Sequence, residues 1–160
     1  MATQGKNLSH YDKSKLPEAS RLKIGLVVSE WNAEITEKLF QGAEQVLLDC
    51  GVASGNIIRW DVPGSFELPF GCKKMIGSLP VDAVIAIGSV IRGETSHFDF
   101  VCDAVAQGIK DVNLATGIPV IFCVLTDDTP EQAIARSGGQ HGNKGMEAAV
   151  AAIKMASLGQ

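Results

Sequence analysis

The sequence predicts an α/β protein, a three-layer α/β/α sandwich built on a four-stranded parallel sheet. Short apolar runs rich in Val and Ile alternate with segments in which apolar residues recur at helical spacing. Strict alternation of strand and helix implies right-handed crossovers, with helices on both faces of the sheet. The composition agrees, because 46% of the 160 residues are hydrophobic and 20% are charged, as in ordinary globular domains.

The four strands are predicted from short apolar runs that are rich in Val and Ile and bounded by turn residues. They are LKIGLVVS (22–29), NIIRWDV (56–62), DAVIAIGSVI (82–91) and IPVIFCVLT (118–126). A strand covered on both faces has no polar side to show, so its apolar run is unbroken. We therefore expect all four to be interior parallel strands.

Helices are predicted where apolar residues repeat with a period near 3.6. They cover about 33–50, 66–79 and 97–115, with a short helix opening at Thr129 and a last one at about 145–158. In the third helix the apolar stripe leaves Phe100 on the opposite side. An exposed phenylalanine there marks a candidate subunit interface.

Charge and targeting features exclude several classes of function. The net charge is −4 and no Lys/Arg run occurs, which disfavours nucleic acid and membrane surfaces as partners. Residues 1–20 are polar and no apolar run is long enough to span a bilayer, so a cytoplasmic protein is expected. We predict a flexible arm over 1–20, or an added strand, followed by one domain over 21–160. The four cysteines are far apart in apolar segments, which indicates reduced core thiols and no metal site.

Ligands of open parallel sheets bind beyond the carboxyl ends of the strands. Polar and aromatic residues are concentrated at those ends, in SEWN (29–32), VPGSFELP (62–69), IRGETSH (91–97) and TDDTPEQ (126–132). Because these ends meet at one edge of the sheet, we expect one shared site there.

The corner RGETSH combines a helix start with a histidine. Ser96 and Asp99 have the spacing of a capping box, and free N–H groups at a helix start suit a phosphate. An imidazole at His97 can take and return a proton. Alternatively, Ser96 is only a cap and His97 only a surface residue of the first turn.

Two other corners carry aromatic and acidic residues. Trp31 precedes Asn32, a predicted N-cap, and is either a plate that stacks on a flat heterocycle or a partly buried core residue. Glu67 either complements the helix dipole or accepts hydrogen bonds from ligand hydroxyls. After the fourth strand, Arg136 and Lys144 flank a glycine-rich bend too flexible to be there for packing, and two cations at such a bend suggest an anion.

Taken together, the motifs resemble those of the lumazine synthase family. They are Trp31-Asn32, PGSFELP (63–69), IGSVIRGETSHFDFVC (87–102), IPVIF (118–122) and HGNKGMEAA (141–149). The resemblance runs from about residue 23 to 158. It implies a flavodoxin-like domain that assembles into pentamers, in some members packed into an icosahedral shell, with active sites between subunits and riboflavin synthase as a candidate partner.

The resemblance also implies a reaction without metal or cofactor. 5-Amino-6-ribitylaminouracil condenses with 3,4-dihydroxy-2-butanone 4-phosphate to give 6,7-dimethyl-8-ribityllumazine, phosphate and water. The family match makes His97 the proton shuttle and Lys144 an accessory cation. It assigns the phosphate to Glu94, Thr95 and Arg136, with Arg136 on the adjacent subunit. It assigns the pyrimidine and ribityl chain to Trp31, Asn32, Ser65, Phe66, Glu67, Val90, Ile91 and the neighbour's Phe122.

One position departs from the family pattern. Many members carry lysine where this chain has Gln140, which leaves a second cation beside Arg136 in doubt. The bend also lacks the insertion associated with members that stop at the pentamer, so a shell of pentamers stays open. Two alternatives of other classes are a flavin- or lumazine-binding carrier and a shell subunit with a vestigial pocket. Both are disfavoured because His97 and Arg136 are present.

Overall fold

A computed structural model describes residues 7–159 and contains the predicted strands and helices in the predicted order. The strands are β1 (Ile24–Ser29), β2 (Ile57–Val62), β3 (Ala83–Ile91), β4 (Val120–Asp127), β5 (Ser137–Gly139) and β6 (Gly142–Asn143). The helices are α1 (Ala33–Asp49), α2 (Leu68–Ser78), α3 (His97–Thr116), α4 (Pro130–Arg136) and α5 (Lys144–Ala156).

The main sheet has the strand order β2-β1-β3-β4, and all of its pairs are parallel. β1 and β3 are interior as expected, but the expectation is wrong for β2 and β4, which are the two edge strands of this sheet. Helices α1 and α5 cover one face, and α2 and α3 cover the other. The three-layer α/β/α prediction is therefore confirmed. Strand β1 is buried at every residue because helices cover both of its faces. The chain leaves β1 for β2 on one side and returns to β3 on the other, which creates a topological switch point between β1 and β3.

The expectation of cysteines in the core is met by two of the four. Cys72 and Cys123 are buried, Cys50 and Cys102 are half-buried, and all four are free thiols. Burial raises the pKa of Cys72 and Cys123 to about 12, which keeps both thiols protonated and inert near neutral pH. No helix within residues 7–159 combines the length and apolar character that a membrane crossing requires.

The described part of the N-terminal segment lies against the domain. Leu8 donates its backbone N–H to the carbonyl of His141 at 2.8 Å, and the hydroxyl of Ser9 accepts from the N–H of Asn143 at 2.9 Å. Tyr11 donates its hydroxyl to Asp49 at 2.8 Å, at the end of α1. No strand forms in residues 7–20. Residues 1–6 lie outside the described residues, so the flexible arm and the domain boundary at residue 20 stay predictions.

Two local predictions about loops are wrong. The glycine-rich bend is not an unpacked segment, because it forms the hairpin β5–β6. Asn143 is buried there and donates its side-chain amide to the carbonyl of Lys38 at 2.8 Å, so the hairpin packs on α1. The Ser96–Asp99 capping box is also absent, since Ser96 makes no side-chain cap and Asp99 turns to Arg92. The cap predicted at Thr129 is present, accepting from the N–H of Gln132.

Candidate functional site

A cavity of about 620 Å³ opens at the carboxyl edge of the sheet, at the switch point between β1 and β3. The turns after β1, β2 and β3 and the start of α3 line it. Most of the predicted site residues are brought together there, namely Trp31, Asn32, Ser65, Phe66, Glu67, Val90, Ile91, Thr95 and His97. The ends of β1, β2 and β3 thus share one cavity as expected, whereas the segment after β4, TDDTPEQ (126–132), does not line it.

Four predicted site residues do not line the cavity of their own chain. Glu94 is exposed between the lining residues Gly93 and Thr95. Phe122 stands on β4 and is 38% exposed. Arg136 ends α4, and Lys144 begins α5 with its Nζ 2.8 Å from an oxygen of Glu147. Within a single chain, these four residues therefore lie outside the cavity that the other predicted site residues line.

The mouth of the cavity is aromatic. Trp31 is 71% exposed, so its interpretation as a core residue is wrong. Its backbone N–H bonds to the carbonyl of Pro63 at 3.2 Å, which ties the turn after β1 to the turn after β2. Phe66 and Phe100 are also exposed on the cavity lining. Exposed aromatic faces around a cleft suit a flat heterocycle, and Phe100 thus lies at the cavity as well as on a candidate subunit interface.

Asn32 has a structural task that the sequence did not indicate. It precedes α1 in the left-handed conformation, with φ 59° and ψ 45°, and its side chain does not cap the helix. Instead, its Nδ2 donates to the carbonyl of Ser89 at 2.9 Å and so joins the ends of β1 and β3 across the cavity. Non-glycine residues in this conformation carry strain that the surrounding structure must support. The hydrogen bond from the Asn32 side-chain amide to β3 provides that support.

Substitutions at Asn32 should separate backbone strain from the lost hydrogen bond. Glycine tolerates a positive φ and alanine does not. We expect Asn32→Ala to lower the free energy of unfolding by about 1 kcal/mol more than Asn32→Gly does. Urea unfolding of the two variants beside the wild type measures this. Equal losses would show that the left-handed turn does not persist in solution.

The floor of the cavity contains two buried hydroxyls without partners. The side chains of Ser65 and Ser89 have no hydrogen-bond partner among residues 7–159. Gly88 makes room for the first, since a Cβ at that position would lie 2.6 Å from the Ser65 hydroxyl oxygen. A buried polar atom left unpaired costs free energy, so a ligand group that bonded either hydroxyl would remove that cost. Ser89 was not predicted. The only signal was its position as a lone hydroxyl in an apolar strand.

Arg92 stabilises the turn between β3 and α3, next to His97. Its Nε donates to Asp128 at 2.7 Å and its Nη1 donates to Asp99 at 3.1 Å, while its guanidinium lies 4.1 Å from the ring centre of Phe98. These contacts join the end of β3 to the first turn of α3 and to the loop after β4. His97 is exposed in that first turn and lines the cavity.

The polar groups at the cavity are few. Among residues 7–159, no group of three or more His, Cys, Asp or Glu side chains could hold a metal ion. The arrangement supplies aromatic plates, two buried hydroxyls, one carboxylate and one imidazole. Such a set can bind a flat polyhydroxy molecule and move a proton at its rim.

These features define a class: an α/β protein with a small-molecule site at the switch point of a parallel sheet. Comparison with known proteins gives the family. The family model for 6,7-dimethyl-8-ribityllumazine synthase matches residues 21–160. The chain is 65% identical to the 6,7-dimethyl-8-ribityllumazine synthase of Christiangramia forsetii over 99% of this chain and 95% of that protein. The chain therefore belongs to the 6,7-dimethyl-8-ribityllumazine synthase family, as the motif resemblance predicted.

Other relatives with the same name agree over nearly the whole chain. The protein of Flavobacterium johnsoniae is 63% identical over 100% of this chain and 84% of its own length. That of Parabacteroides distasonis is 54% identical over 99% of both chains. The similarity thus extends through the turns that line the cavity.

Proposed function

We propose that this protein condenses 5-amino-6-ribitylaminouracil with 3,4-dihydroxy-2-butanone 4-phosphate, giving 6,7-dimethyl-8-ribityllumazine, inorganic phosphate and water. The observation that carries the proposal is the aromatic cavity with unpaired hydroxyls and an imidazole at its rim, in a chain of this family. The reaction belongs to riboflavin biosynthesis, and its chemistry requires no metal or organic cofactor. We place the protein in the cytoplasm.

The proposed pyrimidine site uses the cavity of one chain. Trp31 stacks on the heterocycle, since its ring is exposed at the mouth. Ser65 and Glu67 hold ribityl hydroxyls, because a buried unpaired hydroxyl and a carboxylate both bond them readily. Backbone groups of Val90 and Ile91 hold the uracil edge. Asn32 and Phe66, which also line the cavity, complete the pyrimidine half of the proposed site.

The proposed phosphate site needs a second copy of the chain. Thr95 lies in the cavity and Glu94 is adjacent to it, while Arg136 and Phe122 lie outside it. We propose that the neighbouring copy supplies Arg136 to the phosphate and Phe122 to the other face of the heterocycle, with Lys144 nearby. Exposed apolar side chains such as Phe70 and Leu114 support a homo-oligomer. A pentamer, its packing into a shell and contact with riboflavin synthase belong to this proposal.

The chemistry uses proton transfers rather than a strong nucleophile. The pyrimidine amine adds to the ketone and water leaves, forming an imine. Loss of the proton from the neighbouring hydroxyl-bearing carbon gives an enamine, whose electrons expel phosphate with its bonding electron pair. The enol that remains tautomerises to a new ketone, and the ribityl-bearing amine attacks this ketone with loss of a second water. His97 accepts and returns the protons of these steps. Holding both substrates in register supplies much of the rate, because positioning can contribute several kcal/mol.

Replacement of His97 tests this role. We expect His97→Ala to slow steady-state lumazine formation by up to ~10²-fold, with water replacing part of the proton transfer. The change is followed by lumazine absorbance with both substrates present. His141→Ala is the matched control, because His141 is also exposed but lies on the turn between β5 and β6, outside the cavity.

Two outcomes distinguish a failure of the proposed role of His97 from a failure of the proposed reaction. A folded His97→Ala protein with the wild-type rate would remove His97 from the mechanism. A wild-type protein that does not accelerate the condensation at all would instead overturn the proposed enzyme.

A further inference from the structure

A buried carboxylate near the proposed phosphate site has no task in the reaction. Asp127 is the last residue of β4, and its side chain is only 7% exposed. Its Oδ2 has no hydrogen-bond partner among the described residues. Its Oδ1 lies 3.7 Å from Nη1 of Arg136. Burial raises the pKa of the Asp127 carboxyl, and the positive charge of Arg136 acts against that rise.

Arg136 is held by its own helix rather than by this carboxylate. Its Nη1 donates to the backbone carbonyl of Gln132 at 3.0 Å, one turn earlier in α4. The 3.7 Å separation from Asp127 is too long for a hydrogen bond. No other acceptor within residues 7–159 bonds the Nε or Nη2 of Arg136. Asp127 therefore acts on Arg136 through charge, while the direction of the guanidinium is set by Gln132.

We propose that Asp127 is a counter-charge that weakens the hold of Arg136 on phosphate and so sets the affinity of the site for phosphate-bearing ligands. The inference rests on the proposed function, in which Arg136 binds the phosphate. A dianion that approaches Arg136 is also repelled by the negative charge of Asp127. Because Asp127 is buried, its charge is screened less than it would be in water. The same repulsion favours departure of inorganic phosphate after each turnover.

The neighbouring charges do not cancel this effect. Asp128 adds a second negative charge beside Asp127 and is itself paired with Arg92, whose Nε donates to it at 2.7 Å. Within the described residues, Arg136 is the cation that offsets Asp127. Removing the charge of Asp127 should therefore strengthen the positive field at Arg136 without releasing its side chain.

Inorganic phosphate is the probe, used as an inhibitor against the phosphate-bearing substrate at fixed pH and ionic strength. Asp127→Asn keeps the shape and removes the charge. We expect it to lower the inhibition constant of phosphate by about tenfold and to leave the KM of the pyrimidine unchanged. An unchanged or weaker inhibition by phosphate overturns the proposal. If Asp127→Asn does not fold, Asp127→Thr suits a strand, also removes the charge and carries the same expectation.

Arg136→Ala separates this inference from the function on which it rests. We expect Asp127→Asn to have no effect on phosphate inhibition in the Arg136→Ala background. If Arg136→Ala alone leaves phosphate inhibition unchanged, the proposed phosphate role of Arg136 fails and the inference fails with it. If Arg136→Ala weakens phosphate inhibition but Asp127→Asn does not strengthen it, only the counter-charge is wrong.

Discussion

Arg136→Ala is expected to lower kcat/KM for the phosphate-bearing substrate by about 10²-fold, with little change in the KM of the pyrimidine. A guanidinium binds phosphate through charge-assisted, often bidentate hydrogen bonds, whose loss costs about 1.5–3 kcal/mol. The side chain is 29% exposed at the end of α4, so a ligand can reach its guanidinium. Steady-state kinetics with each substrate varied in turn measures the effect.

Two variants control this experiment. Arg136→Lys keeps the charge and loses the planar fork, so an intermediate loss is expected. Arg21→Ala removes an exposed arginine outside the cavity and should leave both substrates unaffected. Equal losses of affinity for the two substrates in Arg136→Ala would refute a phosphate role.

Gly145→Ala is expected to lower the free energy of unfolding by about 3 kcal/mol, the upper range for overpacking. Gly145 lies in the first turn of α5, where α5 packs on α1. A Cβ there would overlap the backbone carbonyl oxygen of Leu39 in α1 and lie 3.0 Å from the side-chain oxygen of Asn143. Because the obstructing atoms belong to a helix backbone, the two helices must move apart to admit a methyl group.

The matched control is Gly77→Ala in α2. A Cβ at Gly77 meets nothing within 4 Å, and alanine favours a helix over glycine by about 0.5–1 kcal/mol. Urea unfolding at one protein concentration compares the variants, since assembly would add to the apparent stability. A Gly145→Ala protein as stable as Gly77→Ala would contradict the observed approach of α1 and α5.

The two interior strands could be predicted because they obey one local rule. The runs of β1 and β3 are almost continuously apolar, as two-sided burial requires, so both were found within two residues of their ends. The edge strand β2 carries Arg59 and Asp61 and is only partly buried. The hairpin β5–β6 could not be predicted in this way. Its packing depends on Asn143 bonding Lys38, which is 105 residues away in the chain. Glycine content alone indicated flexibility there.

Residues that line the cavity could be predicted where they follow the ends of strands. Contacts between residues far apart in the chain could not be predicted. Trp31 and His97 follow strands and do line the cavity. Asn32 was expected to cap α1, but its amide bonds the carbonyl of Ser89, which lies 57 residues further along the chain. The local spacing of Arg136 and Phe122 does not indicate which cavity they would line, because in the proposed site that cavity belongs to a second copy of the chain.

The most direct test of the proposed condensation measures lumazine and inorganic phosphate in the same reaction. Both substrates are mixed with the wild-type protein, and lumazine fluorescence and released phosphate are followed together against a protein-free control. We expect the two products to appear in equal amounts, at a rate that exceeds the spontaneous condensation and saturates with each substrate. Product formation no faster than in the control would contradict the proposed condensation.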